Sequence, residues 1–583
     1  MQTPGTVFRD RFSDAEGVDA SSDEASIVLV GSKKKRIDLS RSRLVLVALV
    51  FVAVYGVIGA KLTTLAMTDL SGETRAGVRV SNGLMTARPD IVDRNSEVMA
   101  KDLTTYSLHA DPQKIAYPAE ALDLLKEVLP SLDKKKLLKR LKGKGNFVWI
   151  EREMTPSQQA RILDLGIPGL TFERETRRFY PGGRVASHMV GYVDIDNRGI
   201  AGFEKFVDDN WLDNLREVGL SPEERMAPVS LSVDMRVQHV VRDELSKAME
   251  RYKAAAATGI ILDANTGEVV AMSSLPDYDP NDIRGTFNSN TLNRATAGVF
   301  EMGSTFKAIT TAMALDSGLV NMSSRFDARK PITHRGLKIR DFHAKRRVLS
   351  LPEVFIYSSN IGTAKMALEV GPNGHRDFLT RLGLFEKSRH ELPEVGNPLS
   401  PKEWEKLSSM TISFGHGVSV TPLQTLSAAA AILNGGKLIP PTFRPRNIED
   451  ANDLATQVIS PDTSAKMRYL FRLNVEKGSG RRAEVEGYSV GGKTGTAEKV
   501  VNGQYSSKKK LNSFLSAFPI DDPRYVLLVM IDEPKPLEGQ RSATAGLNAA
   551  PTTAAIIRRV ATTLGVAPRL DDMPILSAID YRR

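Results

Sequence analysis

The chain contains no cysteine in 583 residues. Disulfides, a thiol nucleophile and cysteine-based zinc sites are therefore excluded, and an oxidising compartment is permitted without being required. Histidine is sparse as well. The eight are His109, His188, His239, His334, His343, His375, His390 and His416; they are scattered, none forms an HExxH or similar ligand pair, and no metal site is expected. Aromatic residues make up only 6% of the chain, and few basic runs are interleaved with them. The net charge of +10 therefore suits anionic lipid or an acidic polymer better than nucleic acid.

One uncharged apolar run stands out, Leu44 to Ala60, roughly 26 Å long at ~1.5 Å per residue, with Lys61 able to snorkel and Leu62 to Met67 extending it. A cleaved signal peptide is the competing reading, but Ile58 stands where a small residue is wanted before a cut after Ala60. The expectation is an uncleaved anchor over 44–67. Residues 1–43 are acidic and Gly/Ser-rich, then basic at Lys33, Lys34, Lys35, Arg36, Arg41 and Arg43, and read as a disordered tail. The basic cluster precedes the span, so the tail stays in the cytoplasm and the bulk of the chain crosses to the periplasmic side.

Beyond the anchor, residues 68–226 mix short elements. Arg88 to Ala100 reads as a hairpin around an Arg-Asn-Ser turn, and Pro118 to Val128, Asp133 to Leu141 and Thr155 to Leu165 read as amphipathic helices. Tyr180 to Gly202 is turn-rich and offers no nucleophile with a partner, and the segment is expected to be a scaffold or partner-binding module. A second domain over 227–567 opens with a hairpin, Ala257 to Leu262 and Glu268 to Ser273, and gains strands near its far end at Leu511 to Ala517 and Tyr525 to Ile531. Strands at both ends around a helical middle predict an α+β domain, an antiparallel sheet flanked by helices. Residues 568–583 form a short tail.

Within that middle, Glu301 to Leu315 places Phe306, Ile309 and Met313 at helical spacing, with Ser304 at the start and Lys307 one turn on. Taken alone, Ser304 is an N-cap and Lys307 a solvated side chain. A lysine in the first turn, however, faces the positive end of the helix dipole, which suits a base whose proton affinity must fall. Reaching ~7 from ~10.4 takes about three pKa units, or about 4 kcal/mol, more than one helix end supplies. A second cation and a closed pocket are required. Ser358, Ser359 and Asn360 interrupt an apolar helical stretch and by themselves are good caps. Lys493, followed by Thr494, Gly495 and Thr496, offers the second cation with hydroxyls beside it.

The same region carries two other patterns. Gly487 to Thr494, GYSVGGKT, fits the P-loop pattern, and Val526 to Glu533 resembles the acidic strand of an ATPase. A P-loop needs a helix after Lys-Thr, whereas Gly495, Thr496, Val500, Val501 and the Asn-Gly pair at 502–503 build a hairpin. GYSVG also matches a GxSxG elbow, but that fold takes its histidine after the serine, and none follows His416.

The ordered set SxxK, SxN, KTG resembles the penicillin-binding proteins and serine β-lactamases. Further landmarks are Asp279 to Asn281, Asn293 to Ala295, Ser413 to Gln424 and Thr544 to Pro551, while Arg88 to Asn95 and Gly191 to Glu204 resemble the pedestal of class B members. Met302 stands where the family usually has proline, and Pro89 and Ser96 where its pedestal motif usually has glycines. The resemblance implies a single-pass inner-membrane D,D-transpeptidase, most like the division-specific type, that crosslinks peptidoglycan stem peptides. Elongation-type transpeptidases, carboxypeptidases and an inactive anchored scaffold are the alternatives. It also implies a glycosyltransferase and other divisome membrane proteins as partners, β-lactams as inhibitors and no cofactor. By the same resemblance, Ser304 attacks the D-Ala-D-Ala carbonyl, Lys307 takes its proton, Ser358 relays a proton to the leaving amine, and Asn360 holds side chains and substrate. Lys493 keeps Lys307 neutral, the Thr494, Gly495 and Thr496 strand binds substrate, and the N–H groups of Ser304 and Thr496 receive the oxyanion. Glu391 to Asn397, ELPEVGN, lies where some β-lactamases place a water-activating glutamate, but Pro393 and Gly396 break the helical turn it would need.

Overall fold

A computed structural model of the chain describes residues 49, 51–58, 61, 88–143, 145–212, 227–283, 289–501 and 503–569. The chain divides into two compact units, Met1–Gly83 and Leu84–Arg583. In the first, residues 51–58 are helical with exposed apolar side chains. No helix among the described residues is long and apolar enough to cross a membrane. The expected tail, the rest of the expected anchor and residues 570–583 lie outside the described residues.

The second unit starts with the hairpin of β1 (Ile91–Val92) and β2 (Val98–Ala110). Asp93 closes its turn by accepting the N–H groups of Asn95 (2.7 Å) and Glu97 (2.8 Å), and Ser96 takes the left-handed φ of 67° that makes glycine the easier residue there. Then follow α1 (Pro118–Val128), α2 (Lys134–Leu141), β3 (Val148–Met154), α3 (Pro156–Asp164) and β4 (Leu170–Phe179). Their starts are written in the sequence: Asp133 caps α2, Thr155 and Gln158 form a reciprocal capping box on α3, and both α1 and α3 begin with proline. β2 pairs antiparallel with both β3 and β4, and Leu108, Leu122, Leu125, Ile150 and Ile162 form a small core under the helices.

At the base of this lobe Glu204 is fully buried between two arginines. Its carboxylate accepts from Arg88 Nε (2.9 Å) and Arg178 Nε (2.6 Å); Arg178 also pairs with Asp102 (3.0 Å) and Arg88 with Asp208. Burial lowers the proton affinity of Arg178 but the surrounding carboxylates more than reverse it, so its pKa lies above the usual arginine value.

β5 (Val229–Ser230) runs parallel to β1 and leads into α4 (Met235–Tyr252), β6 (Ala256–Asp263) and β7 (Val269–Leu275). The helical middle contains α5 (Phe306–Asp316), α6 (Leu351–Ile356), α7 (Asn360–Arg381, broken at Gly371), α8 (Pro422–Leu433) and α9 (Pro461–Lys477). The end supplies β8 (Gly491–Val501), β9 (Gln504–Phe518), β10 (Tyr525–Asp532) and α10 (Ala549–Val560). The sheet order is β8-β9-β10-β6-β7, antiparallel throughout, so strands from both ends of the segment close one sheet.

Alternation sets the layers. Val526, Leu528 and Met530 of β10 join Ile260 and Leu262 in the core beneath α5 and α8, while Leu527, Val529 and Ile531 join Ala257 and Ile261 against α4 and α10. Both faces are buried, which is why these strands read as continuous apolar runs rather than alternating ones. The lobe and the sheet domain are joined by hydrogen bonds: Asn281 exchanges two with the backbone of Tyr180 (2.9 and 3.0 Å), Tyr278 donates to the Ser187 carbonyl (2.9 Å), and Gly202 N–H donates to Glu394 (3.0 Å).

Candidate active site

α5 does not begin at Ser304. Gly303–Thr305 form a tight 3-10 turn, and the α-helix starts at Phe306, with Lys307 in its first turn. Thr305 holds the turn by donating to the Met302 carbonyl (2.8 Å), and Thr310 ties the helix to the Ser413 carbonyl (2.8 Å). Met302, in the place of the family's usual proline, is buried.

Three backbone segments meet at Ser304 because they carry no side chains there. Gly303 has φ 53°, and a Cβ on it would stand 2.8 Å from the Thr496 carbonyl oxygen. One on Gly495 would lie 2.3 Å from Ser513 Oγ and 2.8 Å from the Met302 carbonyl oxygen. Gly415, φ 84°, abuts the Gly303 backbone in turn. The Ser304 turn is thus pressed against β8, the edge strand of the sheet, at Gly495 and Thr496. β8 pairs with β9 from Gly491 to Val501 and turns at Gly503, so Lys493 lies in a hairpin and not in a phosphate-binding loop.

Lys307 and Lys493 are both buried, yet both reach one hydroxyl. Ser358 Oγ lies 3.0 Å from Lys307 Nζ and 3.0 Å from Lys493 Nζ. Lys307 also donates to the Ser358 carbonyl, and Lys493 to the Thr494 carbonyl (3.1 Å). Ser358 takes φ 55°, an uncommon conformation for a serine, held by the end of α6 and the start of α7. Ser359 caps α7 and donates to Asp341 (2.8 Å), which also accepts the Ile361 N–H (2.9 Å). Burial pushes Lys307 well below the ordinary lysine pKa and the charge of Lys493 pushes it further, with Asp341 acting against them; burial lowers Lys493 to about 7.

The other expected residues are placed less directly. The Asn360 amide donates to the Arg340 carbonyl (2.8 Å), not to either lysine. Thr494 Oγ1 is 2.6 Å from Ser479 Oγ, and Thr496 Oγ1 accepts from the Ala545 N–H (3.4 Å). Glu391 is engaged by Thr442 Oγ1 (2.6 Å) and the Phe443 N–H (2.9 Å), in a segment with no helical turn. Asp341, Ser479, Glu301 and Tyr505 were not singled out as site residues by sequence reasoning. Only Glu301, three residues before Ser304, carried a local signal; the others arrive from distant segments.

Residues 257–558 match the penicillin binding protein transpeptidase domain, and residues 85–210 the penicillin-binding protein dimerisation domain. The chain is 39% identical over 510 residues to the probable peptidoglycan D,D-transpeptidase FtsI of Caulobacter vibrioides, covering 85% of each chain. It is 31% identical over 476 residues to the probable peptidoglycan D,D-transpeptidase PenA of Neisseria meningitidis, covering 77% of this chain and 81% of that one. With the peptidoglycan D,D-transpeptidase FtsI of Escherichia coli it shares 30% identity over 510 residues, 83% of this chain and 84% of that one.

Proposed function

Because the chain belongs to the class B penicillin-binding proteins and is a peptidoglycan D,D-transpeptidase, we propose that Ser304 is its acylated nucleophile and that it crosslinks stem peptides at the division septum. The observation that carries the site assignment is the single Ser358 hydroxyl held between the amines of Lys307 and Lys493. A lysine kept neutral by burial and a neighbouring cation takes the Ser304 proton as Ser304 attacks the D-Ala-D-Ala carbonyl. Ser358, bonded to both amines, passes that proton to the leaving D-alanine. Thr494 and Thr496 take the terminal carboxylate, and Asn360 borders the substrate. The oxyanion falls to the N–H groups of Ser304 and Thr496, each worth roughly 3 to 4 kcal/mol in the transition state. A second stem peptide's amine then displaces Ser304.

We read residues 68–226 as the pedestal, 227–567 as the catalytic domain, and 44–67 as a single membrane span that leaves the catalytic domain in the periplasm, with a glycosyltransferase and divisome proteins alongside it. Labelling with a fluorescent penicillin tests the site: the wild type is labelled and Ser304→Ala is not, and a labelled Ser304→Ala moves the nucleophile elsewhere. Depletion tests the pathway, with filaments or branched cells expected; rounded cells that still divide would reassign the protein to elongation. A periplasm-only reporter at Arg583 is expected to be active.

A further inference from the structure

Glu301 stands three residues before Ser304 and takes no part in the mechanism above. Phe300 and Val420 exchange two backbone hydrogen bonds (2.9 and 3.1 Å), which draws the Glu301 segment along the strand-like stretch that follows Gly415. Glu301 Oε1 accepts from the Gly417 N–H (2.8 Å) and from the Tyr505 hydroxyl (2.9 Å). Its other oxygen, Oε2, is buried and has no hydrogen-bond donor among the described residues. Beside it, the His416 ring lies 5.6 Å from that of Tyr505, and His416 Nδ1 is likewise buried without a partner among those residues. His416 directly follows Gly415, which rests on the backbone next to Ser304.

A buried carboxylate oxygen without a donor is costly to leave unpaired, and its natural complement is a cation carrying several N–H groups. The second half of the reaction delivers such a group. An acceptor amine arrives as an ammonium at neutral pH, since an unperturbed alkylamine such as lysine titrates near ~10.4. The charge of Lys493 on the other side of the site disfavours it, whereas Glu301, three residues before Ser304, offers a carboxylate. We propose that Glu301 and His416 form the subsite that binds the acceptor ammonium and places its nitrogen against the Ser304 ester.

The proposal rests on the Ser304 acyl-enzyme reading. In the step, the ammonium gives one proton to the neutral His416 imidazole and on to solvent. Its nitrogen forms the new C–N bond as the bond from the carbonyl to Ser304 Oγ breaks, and a second proton passes through Lys307 to Ser304 Oγ. Ester and ammonium become amide, serine hydroxyl and one proton. Burial lowers the His416 pKa below its usual value, which keeps the imidazole uncharged and able to accept. Tyr505, half-exposed near the tip of the β8-β9 hairpin, covers the carboxylate and must move aside as the acceptor enters.

The test uses the full chain in detergent micelles with a D-alanine-type thioester as acyl donor and two acceptors. Glycinamide is an ammonium at neutral pH; hydroxylamine is uncharged there. Glu301→Gln is expected to lower transfer to glycinamide about tenfold or more relative to transfer to hydroxylamine, chiefly through the acceptor KM. Glu301→Asp, which keeps the charge, recovers much of that ratio, and Tyr505→Phe, which frees the carboxylate, keeps or raises it. Equal losses with both acceptors, or no loss, overturn the subsite while acylation of Ser304 by a fluorescent penicillin confirms folded enzyme. A wild type that forms no Ser304 ester overturns the catalytic reading instead, and the subsite with it.

Discussion

Two amines that share one hydroxyl are both out of water, and their burial governs how the site responds to pH, with the charge of Lys493 adding to the effect on Lys307. Lys493 titrates at about 7 in the folded chain against ~10.4 when unfolded. The folded state therefore binds fewer protons between those values, and stability rises as pH climbs from about 7 toward 10. Lys493→Met removes the buried charge at the expense of bonds to Ser358 and Thr494. We expect it to abolish penicillin acylation yet to raise the melting temperature most near pH 6, by the equivalent of about 1 to 3 kcal/mol, the gain shrinking by pH 9. Thermal melts at the two pH values check the sign. A second prediction concerns water. Glu391 is committed to Thr442 and Phe443 and one oxygen of Glu394 to Gly202, in a segment with no helical turn to aim a base at a penicilloyl ester. Intact mass is expected to show the adduct persisting for hours on wild-type protein; loss within minutes with hydrolysed drug accumulating would make this chain a β-lactamase.

At the scale of elements, the site depends on segments brought together without side chains. A Cβ on Gly415 would stand 2.1 Å from the Gly303 carbonyl oxygen, at a φ of 84° that L-residues avoid. Gly415→Ala is expected to cost about 2 to 4 kcal/mol and to slow penicillin acylation by displacing the Ser304 turn, measured by denaturant melts and labelling kinetics. Much of this was legible in sequence. Capping residues and prolines marked α1, α2 and α3, the Asn-Gly pair marked the β8-β9 hairpin, and strand-length apolar runs marked β6 and β10, because each signal is local. The lysine pair was inferred from an energetic deficit, since one helix end could not account for a neutral Lys307. What escaped was set by tertiary contact: the start of α5 at Phe306 rather than Ser304, the left-handed Ser358, the amide of Asn360 turned to Arg340, and the Glu301, His416 and Tyr505 group drawn from widely separated segments. The membrane span stayed a sequence expectation, because most of 44–67 lies outside the described residues.

For the molecule as a whole, the buried Glu204 is the point where the N-terminal lobe is held together. Removing its carboxylate leaves Arg88 and Arg178, each with a side chain 1% exposed, short of counter-charge. Glu204→Ala is expected to destabilise the lobe by about 3 to 5 kcal/mol, read as an earlier unfolding transition while bound penicillin still protects the sheet domain. The path of the chain has a mechanical meaning too. Asp90 and Val92 carbonyls accept from Val229 and Leu231 (both 2.8 Å), and Arg94 N–H donates to the Val233 carbonyl (2.9 Å), where the parallel strands β1 and β5 run side by side. The polypeptide leaves at β1, winds through the whole lobe and returns at β5, its neighbour. Tension applied at the N-terminal side of Asp90 is therefore passed to the catalytic domain in shear across that rung, before it reaches the rest of the lobe.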